Sequence, residues 1–165
     1  MRFDGRVWFD FANPAVWQFY RFVLALAEDG NGVGLEWVPL YRDVEADAMA
    51  TFVSLPSPQD RGRFLHAMLG LVHIEKLDPQ AASTVAQALE AAECDAPDLV
   101  EVATLDEITG KATEMGVSET PTMFTGGPVM HIVLNQAASR GNVVESAEAI
   151  LAVLESDGIW SLTKP

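Results

Sequence analysis

The residues best placed to do chemistry lie in Val7-Trp8-Phe9-Asp10-Phe11-Ala12-Asn13-Pro14-Ala15-Val16-Trp17. An apolar run meets Asn-Pro, which opens a helix. The first amides of a helix lack partners within it and carry the positive end of its dipole, so an anion such as a thiolate is stabilised there. Asn13 brings an amide to that place, with one acceptor oxygen and two N–H donors. It has no nucleophile and no ionisable group. Val16, three residues on, is inert. Neither residue can take part in thiol–disulfide exchange.

Other reactive groups are sparse. The single cysteine, Cys94, excludes an intramolecular disulfide and a CxxC pair. It is expected in a helix-end turn as a small, half-buried hydrophobe. His66, His73 and His131 make no metal signature, and no metal is expected. No P-loop, dinucleotide fingerprint or nucleophile elbow occurs.

Charge narrows the partners. The net charge is −14, and residues 43–119 hold fifteen acids against four bases. Such a chain repels nucleic acid and anionic membrane, so neither is expected as a partner. The acidic stretch reads as a solvated helical face. At 165 residues and 49% hydrophobic the chain can bury a core. Its longest apolar runs are far too short to span a bilayer. Its opening residues lack a signal-peptide pattern, and a cytoplasmic protein is expected.

The surrounding elements must position Asn13. Residues 6–11 alternate and read as a strand. Asn13 at N-cap and Pro14 at N1 start a helix to about residue 29, with Val16, Phe19, Tyr20, Val23, Leu24 and Ala27 as its apolar stripe. A second strand over 33–41 follows, parallel to the first. Residues 43–116 are acidic, Ala-rich and helical in pattern. They give helices over about 43–53, from Ser57 or Pro58 to 76, from a cap at Asp78-Pro79 to 93, and from 104 or 106 to Gly116. Two short strands, 122–125 and 129–134, form a hairpin about Gly126-Gly127-Pro128. A terminal helix set by Val144, Ala147, Ile150, Leu151 and Leu154 stops at Asp157-Gly158, and residues 159–165 pack back on the fold.

This order, β-α-β, a helical block, then β-β-α, resembles the thioredoxin plan in its DsbA-like branch. That branch takes in disulfide oxidoreductases, kappa-class glutathione transferases with 2-hydroxychromene-2-carboxylate isomerases, and mycothiol-dependent reductases. Trp8-Phe9-Asp10 with Pro14 and Trp17 is similar to the frame of a Cys-Pro-x-Cys-Trp site, which sets Asn13 on the first cysteine and Val16 on the second. Phe9-Asp10-Phe11-Ala12-Asn13-Pro14 also resembles the Phe-Asp-Phe-x-Ser-Pro pattern of kappa and isomerase members. Gly116-Val117-Ser118-Glu119-Thr120-Pro121-Thr122-Met123-Phe124 resembles the segment that carries the family's cis-proline, with Glu119 where glycine is common. Gly127-Pro128-Val129, Arg140-Gly141 and Trp160 resemble the mycothiol-linked members.

The resemblance implies an α/β thioredoxin-like fold: residues 1–42 as the βαβ half, 43–116 as an inserted helical subdomain, and 117–165 as the ββα half and tail. It implies a site at Asn13, Pro14, Trp17, Thr120 and Pro121, with Val16 at the inactive second position. Asp10 lies either beneath that site or in solvent. Two functions follow as expectations. In one, the cleft binds a low-molecular-weight thiol, glutathione or mycothiol, whose sulfur accepts from Asn13 and whose peptide part lies along Thr120. In the other, the protein is catalytically inactive and binds a partner, such as an extended peptide in the cis-Pro groove. A homodimer is compatible with either.

Overall fold

The computed structural model describes residues 1–134 and 142–155. Arg140-Gly141, Asp157-Gly158 and the tail with Trp160 lie outside the described residues. The elements are β1 (Arg2–Phe9), α1 (Pro14–Glu28), β2 (Gly32–Pro39), α2 (Ala46–Ser54), α3 (Pro58–His73), α4 (Ala82–Ala91), α5 (Val102–Glu114), β3 (Thr122–Phe124), β4 (Met130–His131) and α6 (Val143–Leu154).

The chain forms two compact units, one of residues 1–9, 13–38 and 112–165, the other of residues 10–12 and 39–111. In the first unit the sheet order is β2-β1-β3-β4. The Gly32 N–H bonds to Met1 O, and Arg6 pairs with Glu36. Partners thus advance together along β1 and β2, which makes the two strands parallel, the outcome of a strand–helix–strand crossover. β3 runs antiparallel to β1, with Arg6 opposite Phe124 and Trp8 opposite Thr122. β4 closes the hairpin, with Thr122 opposite His131. A glycine is needed at position 5: its φ is +155°, and a Cβ there would lie 2.6 Å from the Phe124 carbonyl oxygen.

The core of this unit gathers Phe3 and Val7 from β1, Phe19, Phe22, Val23 and Leu26 from α1, Met123, Ile132, and Val143, Ala147 and Leu154 from α6. Phe3 meets the Phe22 ring edge-on at 5.8 Å. Each such fully buried side chain contributes about 1.5–3 kcal/mol through loss of water contact. The buried side of α1 differs from the predicted stripe: Phe22 and Leu26 are buried, while Leu24 is half-buried and Ala27 exposed. α1 packs against α6 as well as lying over the sheet, so its covered face is wider than one stripe.

In the second unit α2, α3 and α4 pack together. The Ser57 hydroxyl accepts from the Asp60 N–H at 3.1 Å, and Pro58 follows at N1, so α3 starts where the sequence predicts. Arg61 reaches back to the Leu55 and Val53 carbonyls at the end of α2. α4 starts later than predicted: its N-cap is Ala81, and Asp78 instead forms a turn in which its carboxylate accepts from the Gln80 N–H. Ile74, expected on the apolar side of α3, follows the helix and is 65% exposed. Gly116, at φ +89°, ends the turn after α5.

β1 stops at Phe9, two residues short of the predicted end. Residues 10–12 group with the helical unit because that unit holds their backbone. Glu45 Oε2 accepts from the Phe11 N–H at 2.9 Å, and His73 Nε2 donates to the Phe11 carbonyl at 2.8 Å. The units also part at 38/39 and 111/112; the sequence sets boundaries at 42/43 and 116/117.

Candidate functional site

The helix start is built by its own sequence. Asn13 sits at N-cap in extended conformation, and its Oδ1 accepts from the Ala15 N–H at 2.9 Å. Pro14 fills N1, where no N–H is needed. With Oδ1 committed to the cap, the amide nitrogen faces the segment before β3. Asn13 Nδ2 donates to the Thr120 carbonyl at 2.8 Å and to Thr120 Oγ1 at 3.1 Å. The alternative amide orientation would aim oxygen at oxygen and nitrogen at N–H, so the network fixes the one described.

Two segments 107 residues apart thus meet at Thr120, which is 2% exposed. The Thr120–Pro121 peptide is cis. Pro121 is buried, Pro14 exposed and Asn13 half-buried. Val16 is fully buried, as an aliphatic side chain on the inner face of α1 must be. Trp17 is half-buried, stacked on Tyr20 at 6.3 Å, with the Arg21 guanidinium 5.9 Å from its ring centre. Burial pushes the Tyr20 hydroxyl up to about 12, so it stays a neutral phenol.

Two residues, one in each unit, escape sequence reasoning. His131, on β4, donates from Nε2 to the same Thr120 carbonyl at 3.2 Å. Its Nδ1 lies 2.8 Å from Glu119 Oε2. A carbonyl and a carboxylate can only accept, so both contacts are satisfied together when the ring carries a proton on each nitrogen. The signal was the Gly-Gly-Pro turn, which sets the register and puts residue 131 opposite residue 122.

Glu45 is the other side chain the sequence leaves unremarked. It is 3% exposed in a left-handed conformation at the start of α2, and its Oε1 has no hydrogen-bond partner. Burial raises its carboxyl from the ordinary 4.5 to about 7; the Phe11 and Ala12 amides oppose the rise, while Asp10 and Asp78 add to it. Burial also lowers His73, against the pull of the Phe11 carbonyl, and leaves it a neutral Nε2–H donor. Asp10 lies beyond the end of β1 and is half-buried.

Cys94 is half-buried in the helical unit. Its Sγ lies 3.5 Å from the Ala92 carbonyl and 3.9 Å from Asp60 and Arg63. A groove of about 460 Å³ in the same unit is lined by Gln59, Gly62, Arg63, His66, Ala92 and Glu93, none of them an expected site residue. Among the described residues no group of three or more His, Cys, Asp or Glu side chains could hold a metal ion. No helix among them is long and apolar enough to cross a membrane.

No protein-family model matches the sequence, and no curated protein matches it. Solved structures do match its fold. A periplasmic thioredoxin-like protein from Salmonella enterica serovar Typhimurium superposes with TM-score 0.65 at 16% identity, over 90% of this chain and 84% of that one. A 2-hydroxychromene-2-carboxylate isomerase does so with TM-score 0.65 at 17% identity, over 90% and 96%. DsbL of the same Salmonella serovar gives 0.58 at 14% identity, over 94% and 90%. Identities this low carry the architecture and leave the chemistry to the residues.

Proposed function

We propose that this chain, which has the DsbA-like thioredoxin fold but only one cysteine, no longer exchanges disulfides by itself and instead binds a low-molecular-weight thiol, glutathione or mycothiol, at the Asn13–Thr120 junction. The observation that carries this reading is the Asn13 amide. Its oxygen caps α1, so its two N–H groups are directed away from the helix. The bond to the Thr120 carbonyl, at 2.8 Å, is the firm one. The bond to the Thr120 hydroxyl is longer, at 3.1 Å, so that N–H is the donor a sulfur can take over. The helix N-terminus adds a favourable field for a thiolate.

Calorimetry with glutathione and with mycothiol at millimolar concentration tests this. Saturable heat with one of them, lost in Asn13→Ala, is the expected result. Absence of heat with both sinks it and leaves the second reading, an inactive thioredoxin-fold protein that binds a macromolecular partner. That second reading draws support from the same geometry, since both Asn13 N–H groups already have acceptors. A cytoplasmic location belongs to the thiol reading, because both thiols are cytoplasmic reductants; one neighbour is described as periplasmic. Fractionation of the native host decides the location.

The frame itself has a sharper probe. In the Asn13→Cys/Val16→Cys double variant two thiols stand one helical turn apart, with the first at the N-terminus of α1. Helix N-terminal amides lower a thiol's pKa, so the double variant is expected to gain disulfide-reductase activity in an insulin-reduction assay. Either single variant should remain inactive. A silent double variant would count against the matching of positions 13 and 16.

A further inference from the structure

Three successive carbonyls lead into β3, and each already accepts a hydrogen bond. Glu119 O accepts from Thr122 Oγ1 at 2.7 Å, and Pro121 O accepts from the Ile132 N–H at 2.9 Å. Thr120 O, between them, accepts twice: from Asn13 Nδ2 at 2.8 Å and from His131 Nε2 at 3.2 Å. A carbonyl oxygen has two lone pairs, so two donors fill it. Pro121 has no N–H to offer. A peptide that adds alongside a strand gains its affinity from paired main-chain N–H and C=O bonds. At this segment the acceptor half of that pairing is taken.

We infer that His131, held in place by Glu119, determines specificity at the proposed thiol site by closing the Thr120 carbonyl to main-chain donors. This rests on the thiol reading and says which ligand chemistry the site takes. A ligand is held through acceptors it presents to Asn13 and the helix start, a thiolate or a carboxylate, and not through its own amide N–H groups. Extended peptides, which need Thr120 as a strand partner, are disfavoured. The Glu119 carboxylate orients the imidazole through Nδ1, so that Nε2 points at the carbonyl.

The test compares glutathione with an analogue whose cysteine amide is N-methylated and so cannot donate. Wild-type protein should bind the two within about twofold, because that N–H finds no acceptor. His131→Ala vacates one lone pair of Thr120 O. It should bind glutathione about three- to tenfold more tightly than the methylated analogue, the usual worth of one hydrogen bond. His131→Gln, which keeps a side-chain N–H donor, should restore the wild-type ratio. Should His131→Ala fail to fold, the wild-type ratio alone decides. A wild-type preference of threefold or more for unmethylated glutathione overturns the inference, as does a His131→Ala ratio equal to wild type. Absence of binding to either compound by wild type and both variants overturns instead the thiol reading beneath it.

Discussion

Glu45→Gln is expected to stabilise the protein at pH 8 and to lose that advantage in acid. Glu45 is 3% exposed and its carboxyl titrates near 7 when folded, against 4.5 ordinarily. An acid with a raised folded pKa holds its proton more tightly folded than unfolded. Between pH 4.5 and 7 the folded chain therefore binds more protons, and stability falls as pH rises through that window. Above pH 7 the buried carboxylate is charged in both states, and the full cost of burying it is present. At about 1.4 kcal/mol per pKa unit, a rise from 4.5 to about 7 makes that cost about 3–4 kcal/mol.

Glutamine removes the charge and keeps a carbonyl for the Phe11 N–H. Its NH2 then replaces an oxygen that already lacked a partner, which offsets part of the gain. The expected net gain at pH 8 is about 1–2 kcal/mol, or about 2–8 °C in Tm for a chain of this size. Urea unfolding of wild type and variant at pH 5, 6, 7 and 8 checks it. The difference should shrink steadily below pH 7 and vanish or reverse by pH 5. A difference that stays level from pH 5 to 8 refutes the raised pKa.

The second large effect is at Asn13, where cap and latch can be separated. Asn13→Ala removes the acceptor for the Ala15 N–H and both donors to Thr120. Loss of an N-cap costs about 1 kcal/mol, and each of the two lost hydrogen bonds about 0.5–1.5 kcal/mol, so about 2–4 kcal/mol is expected. Asn13→Asp is the informative partner. Aspartate is as good an N-cap as asparagine and suits the helix dipole better. If capping were the whole role of Asn13, Asp would be neutral or mildly stabilising. With Thr120 O at 2.8 Å from the amide nitrogen, Asp sets a carboxylate oxygen against a buried carbonyl. The expected cost is therefore close to that of Ala at pH 7, and smaller at pH 4, where a protonated carboxyl can donate again. Denaturant midpoints that match wild type for Asn13→Asp at pH 7 would show that the contact to Thr120 contributes nothing.

The two positions show what was legible in advance. Thr120 was named only through the resemblance of residues 116–124 to a family segment; Asn13 was readable because it lies in a short motif whose local physics is self-contained, an Asn-Pro helix start. Ser57-Pro58 was readable for the same reason. Glu45 was not. In sequence it is one acid among the fifteen of residues 43–119, and nothing local distinguishes a buried carboxylate from a solvated one. The Phe11 amide that it holds is 34 residues away. His131 was noticed only as a histidine without metal partners. Its role follows from the β3–β4 register, which brings it back over Thr120. The inner faces of α1 and α3 were read within a residue or two. Phe22 and Leu26 depend on which neighbours cover a helix, and Ile74 on where α3 ends; periodicity specifies neither.

The strand–helix order, the caps at Asn13 and Ser57, the hairpin turn and the absence of a dithiol are properties of the sequence by itself, because each rests on residue type and near-neighbour sterics. The tertiary structure decided where the hydrogen bonds go. It turned the Asn13 amide onto Thr120, filled the Thr120 carbonyl with a second donor from His131, and buried Glu45 against Phe11. Those pairings join residues 11, 34 and 107 positions apart. Such contacts form only when the packed core holds their backbones at hydrogen-bond distance, and no local preference encodes that distance.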